Sequence, residues 1–306
     1  MKLINQYQKG IAAAVIGLVT ALGTAAQAHA QSYPDRPVRI VVPFAAGGFT
    51  DTMARVVAKK LQERLGQPFI VENRPGAGGN IGAENVARAA PDGYSLLIST
   101  ITTHGINASL YKSLTFDPIK DFEPVILLCS TPNVLVVHSP TMKTIPAIVK
   151  ASKDRPNGLN LGSSGVGTSS HLVGVLFQMT TGASMTHVPY KGSSQAALDL
   201  MSGQVDLIFD NLVFQSQHVK AGKVHAVGVT SRNRSPLLPD VPTMRELGVS
   251  GMDYGPWFGL SAPAKTPKPV IQKLNAELQE ILRSPDVVKA LAGADLGGGT
   301  PEQYGE

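Results

Sequence analysis

The sequence is short of several things at once: among 306 residues it has one cysteine, one tryptophan, 6% aromatic residues and 16% charged residues. A single cysteine excludes an intramolecular disulfide and any cysteine-rich zinc site. Cys129 closes the apolar run Val125-Ile126-Leu127-Leu128-Cys129, where it reads as a small buried hydrophobe rather than a nucleophile. Lysine and arginine (27) exceed aspartate and glutamate (22), for a net charge of +5, but the basic residues are scattered and form no nucleic-acid arm. Catalytic signatures are missing as well. There is no G-x-S-x-G elbow, no phosphate-binding P-loop, no H-E-x-x-H and no G-x-G-x-x-G. Ser109-Leu110-Tyr111-Lys112 fits S-x-x-K but lacks the K-T-G and S-D-N partners of that chemistry, and is taken as chance. The seven histidines (29, 104, 138, 171, 187, 218 and 225) never fall three or four residues apart, so a helical zinc site is not expected. No metal, cofactor or catalytic residue is assigned, and the chain is not expected to be an enzyme.

What is present begins with a leader. Lys2 and Lys9 bracket a polar start, Ile11–Leu22 is a 12-residue apolar stretch, and Ala28-His29-Ala30 has the small-x-small form of a cleavage site. A secretory signal peptide over 1–30, cleaved after Ala30, is expected, and with it a periplasmic location. The stretch is short of the roughly 20 residues that span a bilayer. The leader holds two lysines and no acid, so the remaining chain carries +3.

After the leader, short apolar runs alternate with helical patterns. Val38-Arg39-Ile40-Val41-Val42, Phe69–Asn73 and Ser95–Ser99 read as strands, separated by helices from Thr50 to about Leu65 and from Asn80 to Ala90. The pattern restarts after Pro132, with strands at Asn133–His138, Leu159–Leu161, Thr186–Pro189, Val205–Phe209 and Val224–Val229 and helices between them. Trp257–Ser261 reads as a further strand and Pro267–Arg283 as a long amphipathic helix. This alternation predicts an α/β protein of two domains, each a mainly parallel sheet flanked by helices, with more than one crossover between them, near 130 and near 250. The expected division is 31–130 with 251–306, and 131–250. Thr300-Pro301-Glu302-Gln303 has the form of a capping box, yet only three residues follow it, so a short or fraying helix is expected.

Two loops carry the chemistry. Gly47-Gly48-Phe49-Thr50-Asp51 and Ser163-Ser164-Gly165-Val166-Gly167-Thr168-Ser169 each join a strand's carboxyl end to a helix start. Helix starts present unpaired N–H groups and about half a positive charge, and ligands of open α/β sheets sit at strand carboxyl ends. Facing each other, the loops would grip an anion; taken singly, each is also an ordinary tight turn. Gly48 and Gly165 are expected to require small residues. A third strand end, Ser99-Thr100-Ile101-Thr102-Thr103, is rich in hydroxyls. His104 and His171 could donate to a carboxylate or sit as supporting surface histidines. Lys191 could lend charge to the cleft or be a solvated loop residue. Asp210-Asn211 could accept from a ligand amine or hydroxyl, or cap the next helix.

Several blocks resemble the Bug family, the periplasmic receptors of tripartite tricarboxylate transporters. They include Tyr33-Pro34-Asp35-Arg36-Pro37-Val38 through Phe44, Val71-Glu72-Asn73-Arg74-Pro75-Gly76-Ala77-Gly78-Gly79-Asn80, Ala90-Pro91-Asp92-Gly93-Tyr94, Ser163 through Leu172, His187-Val188-Pro189-Tyr190-Lys191-Gly192 and Phe209-Asp210-Asn211. The resemblance implies a Venus-flytrap binding protein, expected to be a monomer, that holds a small carboxylate: a di- or tricarboxylate, an amino acid or an aromatic acid. It implies delivery to the membrane subunits of a tripartite transporter, with signalling to a membrane sensor or an exported hydrolase as alternatives. Carried onto this sequence, the ligand-binding residues are Phe44, Gly47, Gly48, Phe49, Thr50, Asp51, Ser99, Thr100, Thr102, Thr103 and His104 on one side. Ser163, Ser164, Gly165, Gly167, Thr168, Ser169, His171, Lys191 and Asp210 form the other. Asp51 is expected to organise its loop rather than touch an anion. Thr102, Gly105, Ala108 and Val213 depart from the family's usual residues, and the family's last helix is absent after Glu306. Phe49 stands where the family varies and hints at an aromatic or extended apolar ligand.

Overall fold

The computed structural model describes residues 33–305; the expected leader lies outside them. From Pro37 onward the chain builds two sheets. The first has six strands in the order β11-β4-β10-β3-β1-β2, with β1 Val38–Val42, β2 Phe69–Asn73, β3 Ser95–Thr100, β4 Phe122–Ser130, β10 Trp257–Pro263 and β11 Asp295–Gly298. The second has five in the order β7-β6-β8-β5-β9, with β5 Asn133–Val137, β6 Leu159–Ser163, β7 Met185–Pro189, β8 Leu207–Asn211 and β9 His225–Val229. This is the two-domain α/β architecture expected from the alternation.

Each sheet is parallel where helical crossovers feed it and antiparallel where the chain changes sheets. β1 runs parallel to β2 and β3, and β6 parallel to β7 and β8. β10, arriving from the other sheet, is antiparallel to both β3 and β4, and β5 is antiparallel to β8 and β9. A strand that enters a sheet without a helix from a neighbouring strand has no crossover to set its direction.

Burial explains the strand compositions. Val38, Ile40, Val41 and Val42 are all inaccessible, as expected for a run covered on both faces. The Phe49–Leu65 helix buries Phe49, Met53, Ala54, Val57, Ala58 and Leu61, which recur every three or four residues, and stops at Gly66 in the left-handed region (φ 72°). Lys268–Arg283 buries Val270, Ile271, Leu274, Leu278, Ile281 and Leu282 and packs on β4 and on the Phe49–Leu65 helix. Truncating one of these, Leu274 for instance, costs about 2–5 kcal/mol. Cys129 is buried in β4 against Met53, and burial pushes its thiol up, in keeping with a packing role.

Some boundaries differ from expectation. The first long helix is capped by Gly48, not Thr50, and no side chain caps it. Thr102–Ile106 forms one π-helical turn that the hydroxyl-rich sequence did not announce. The capping box at Thr300 does form: Gln303 Oε1 accepts from Thr300 N at 2.8 Å, and Pro301–Gly305 is helical. Among the described residues no helix is long and apolar enough to cross a membrane.

Two chain segments join the sheets, Thr131-Pro132 between β4 and β5 and the stretch from β9 to β10. They are bonded to each other. Thr131 N donates to Pro256 O at 3.0 Å, and the second segment is closed on itself by Tyr254 N donating to Thr230 O at 2.9 Å. Such a narrow double strap is where a two-domain protein can bend.

Candidate functional site

A cavity of about 50 Å³ lies between the two sheets, close to this strap. Its wall on the six-stranded side is Phe44, Gly48, Phe49, Thr50, Thr100 and Thr102, and on the five-stranded side Ser164, Ser169 and Asp210. All nine are among the residues expected from the sequence. The wall also includes Asn211, which the sequence paired with Asp210, and Ala45, Asn133, Ser193, Pro256 and Phe258, which were not expected there.

Three helix starts converge here. The helices Phe49–Leu65, Ser169–Thr181 and Ser193–Ser202 begin at Gly48, Thr168 and Gly192, and at none of them does a cap side chain occupy the first-turn N–H groups. Their partial positive charge is directed at the cavity wall. Among the described residues no lysine, arginine or histidine lines it, and Asp210 is its one ionisable group. An anion bound here would be held by helix dipoles, hydroxyls and amides rather than by a salt bridge.

Asp210 sits at the end of β8, 6% exposed. Ser193 Oγ donates to one of its oxygens at 2.7 Å and Gln215 Nε2 to the other at 2.8 Å. Burial raises its pKa, and these donors oppose that shift. Asn211, its neighbour, takes the capping role: its Oδ1 accepts from Phe214 N at 3.1 Å. Phe49 meets Phe258 edge-on at 5.1 Å, so its ring is part of an aromatic floor.

The other expected residues stand behind the wall. Asp51 accepts from Gly47 N at 3.0 Å and Asn73 Nδ2 at 2.9 Å and pairs with Arg55, which fixes the first loop. Ser99 is buried and bonds Ser261 and Tyr304. Thr103 folds back on Thr100 and His104, and His104 packs on Phe122 and Trp257. Burial pulls His104 down to about 4, so it is neutral near pH 7. In the second loop, Ser163 contacts His187 Nε2 at 2.6 Å, and Gly167 N donates to His171 Nδ1 at 3.2 Å. Thr168 Oγ1 donates to Gly165 O at 2.7 Å. The rings of His171 and His187 stack at 3.8 Å. Gly165 holds φ 140°, a conformation that L side chains avoid. Most N–H groups of this loop are therefore spent inside it, which leaves the helix start and the Ser164 and Ser169 side chains to face a ligand. Lys191 is exposed at the seam between the sheets, where its carbonyl accepts from Ala45 N at 3.0 Å. Ser194 Oγ donates to Ala46 O at 2.8 Å, so two hydrogen bonds tie the halves together across the cavity mouth.

Of the unexpected wall residues, Ser193 had a usable signal: Lys191-Gly192-Ser193-Ser194 repeats the strand–Gly–Ser–helix arrangement of the other loops. Asn133 and Phe258 had none, because their place in the wall depends on which strand ends meet.

The sequence model described as tripartite tricarboxylate transporter family receptor matches residues 53–303. The chain belongs to that family. Its similarity to individual members runs nearly end to end. BugT of Bordetella pertussis is 40% identical over 296 residues, covering 95% of this chain and 90% of BugT. Among solved structures, R. palustris Rpa4515 with adipate is 38% identical with a TM-score of 0.85, covering 89% of this chain and 92% of that one. MatC from Rhodopseudomonas palustris with bound malate is also 38% identical, with a TM-score of 0.83 over 89% and 93% of the two chains. The family resemblance and the Venus-flytrap fold expected from the sequence are thus established, and the family is one of periplasmic solute-binding proteins.

Proposed function

We propose that the protein is an exported solute receptor that captures a small carboxylate between its two halves and hands it to the membrane subunits of a tripartite tricarboxylate-type transporter. The observation that carries this reading is the convergence of three uncapped helix starts, from both halves, on one cavity with no cationic side chain. Backbone N–H groups and helix dipoles hold a carboxylate without a formal counter-charge, which suits capture followed by release. Adipate and malate in the two structural relatives support the ligand class. The two-strap hinge supports closure by population shift, in which the acid stabilises the shut form through contacts with both halves.

A hydrolytic role is weaker. Ser163 and His187 form a close pair, but Ser163 is 1% exposed, lies outside the cavity wall and also bonds Gly165. No carboxylate pairs with His187 among the described residues.

The test is a thermal-shift screen of the chain from Gln31 onward against di- and tricarboxylates, amino acids and aromatic acids. Occupancy at 100 times the dissociation constant adds about 2.7 kcal/mol and moves the midpoint by several degrees. The expected result is a saturating shift with one class of acid, recovered unchanged by mass spectrometry. Turnover of that acid would overturn the receptor reading.

A further inference from the structure

Asn133 is the first residue of β5, immediately after the Thr131-Pro132 crossover. It lines the cavity and is 1% exposed, and its amide nitrogen has no hydrogen-bond partner. A buried donor without a partner is rare and costly in native proteins. The Asn133 backbone, by contrast, is fully engaged with the second strap. Its N–H donates to Thr230 Oγ1 at 2.9 Å and its carbonyl accepts from Thr230 N at 2.9 Å. Thr230 Oγ1 donates in turn to Tyr254 O at 2.6 Å. Across the sheet Asn133 pairs with Asn211, whose amide donates to Thr131 Oγ1 in the first strap. One residue therefore has its side chain in the cavity wall and its main chain bonded to the second strap, directly where the first strap ends.

We propose that Asn133 is a specificity-determining ligand contact that also makes closure depend on the ligand. Its amide takes a hydrogen-bond acceptor oxygen of the bound acid, and with the cleft empty it opposes shutting. The inference rests on the receptor reading of the same cavity. While the halves stand apart, water reaches the amide. When they shut around nothing, the nitrogen is stranded. An acid held in the cavity against the Asn133 side chain offers a carboxylate or hydroxyl oxygen that accepts from this nitrogen. The ligand then removes a penalty that only the shut form carries, which is the differential interaction that population shift requires.

The experiment reads the closed-to-open ratio directly. Ile70 and Met179 are 55% and 79% exposed and belong to different halves, so Ile70→Cys and Met179→Cys accept a dye pair. Cys129 is buried and does not compete for the dyes. Single-molecule energy transfer is compared for this labelled background and for the same background carrying Asn133→Leu, without ligand and then with malate or adipate as probes. Without ligand, Asn133→Leu is expected to raise the closed-to-open ratio about 5- to 150-fold, the range set by one buried unsatisfied polar group. The further closure produced by a probe that binds should shrink. Asn133→Ala serves as the second variant should the leucine disturb folding, which circular dichroism reports. A ligand-free ratio unchanged within about twofold in a folded variant would overturn the proposal. If neither probe closes the parent protein, the receptor reading loses those two acids, whereas the ligand-free comparison still decides the role of Asn133.

Discussion

Gly192 offers a direct test of how the cleft shuts. Its backbone is extended (φ 165°, ψ 169°), a conformation open to any residue, so a substitution there brings no local strain. A β-carbon at this position would nonetheless stand 3.1 Å from both the nitrogen and the β-carbon of Ala45 on the other half. Ordinary carbon contacts lie near 3.5–4.0 Å, so Gly192→Ala must push the halves apart by a few tenths of an ångström, and Gly192→Val by more. The adjacent Ala45 N to Lys191 O bond, 3.0 Å long, would stretch with it. Overpacking of this kind costs about 1–3 kcal/mol, and here the cost falls on the shut form alone. Apparent affinity for the captured acid should weaken about 5- to 150-fold, while the ligand-free melting midpoint stays within about a degree. Isothermal titration of Gly192→Ala and Gly192→Val, paired with thermal melts, reads both quantities. Wild-type affinity in Gly192→Val would show that binding does not require this seam to close.

Three further outcomes are expected. Gly158 has φ 70°, and a β-carbon there would sit 2.2 Å from Ser184 O, so Gly158→Val should lower the melting midpoint by several degrees without altering the cavity, as a thermal melt will show. Burial holds His104 at about 4; burial, and then the facing ring of His171, hold His187 at about 4. Both bind protons more readily when unfolded, so their contribution is complete above pH 6.5 and declines as pH falls toward 4, by up to about 3 kcal/mol for the largely enclosed His104; urea titrations across that window should show the decline, less steep in His187→Gln. Asp210→Asn removes the one ionisable group of the cavity wall, so the affinity for a dianion such as succinate relative to aspartate should rise about tenfold in competition titrations, and an unchanged ratio would remove Asp210 from ligand selection.

The fold was readable where side chains impose a period. Val38–Val42 and Asn133–Val137 are nearly continuous β-branched runs, and the Lys268–Arg283 stripe could be little else than an amphipathic helix. β11 was missed because Asp295-Leu296-Gly297-Gly298 has almost no side chains to pattern; it pairs by backbone alone with β4. The candidate site was readable in part for a similar reason. Glycine and serine at a strand-to-helix junction have local causes, so Gly48, Ser164 and Ser169 could be picked out from the chain alone. Which members of those loops face the cavity depends on hydrogen bonds made elsewhere. Ser99 turns to Tyr304, Thr103 to Thr100 and Ser163 to His187, and each is thereby drawn away from the wall. Asn133 and Phe258 enter it only because two crossovers bring their strand ends together.

The position of β10 has a consequence for synthesis. In the first sheet it lies between β3 and β4, yet it is made only after the whole five-stranded unit, since β4 ends at Ser130 and β10 begins at Trp257. As the chain emerges, the five-stranded unit has all its strands well before the six-stranded one can join its two parts. Until Trp257–Pro263 appears, β3 and β4 each present an unpaired edge, and pairing across so long an interval is slow. The six-stranded sheet therefore cannot close until about the last sixth of the chain has been made, a topology that itself delays completion of the fold.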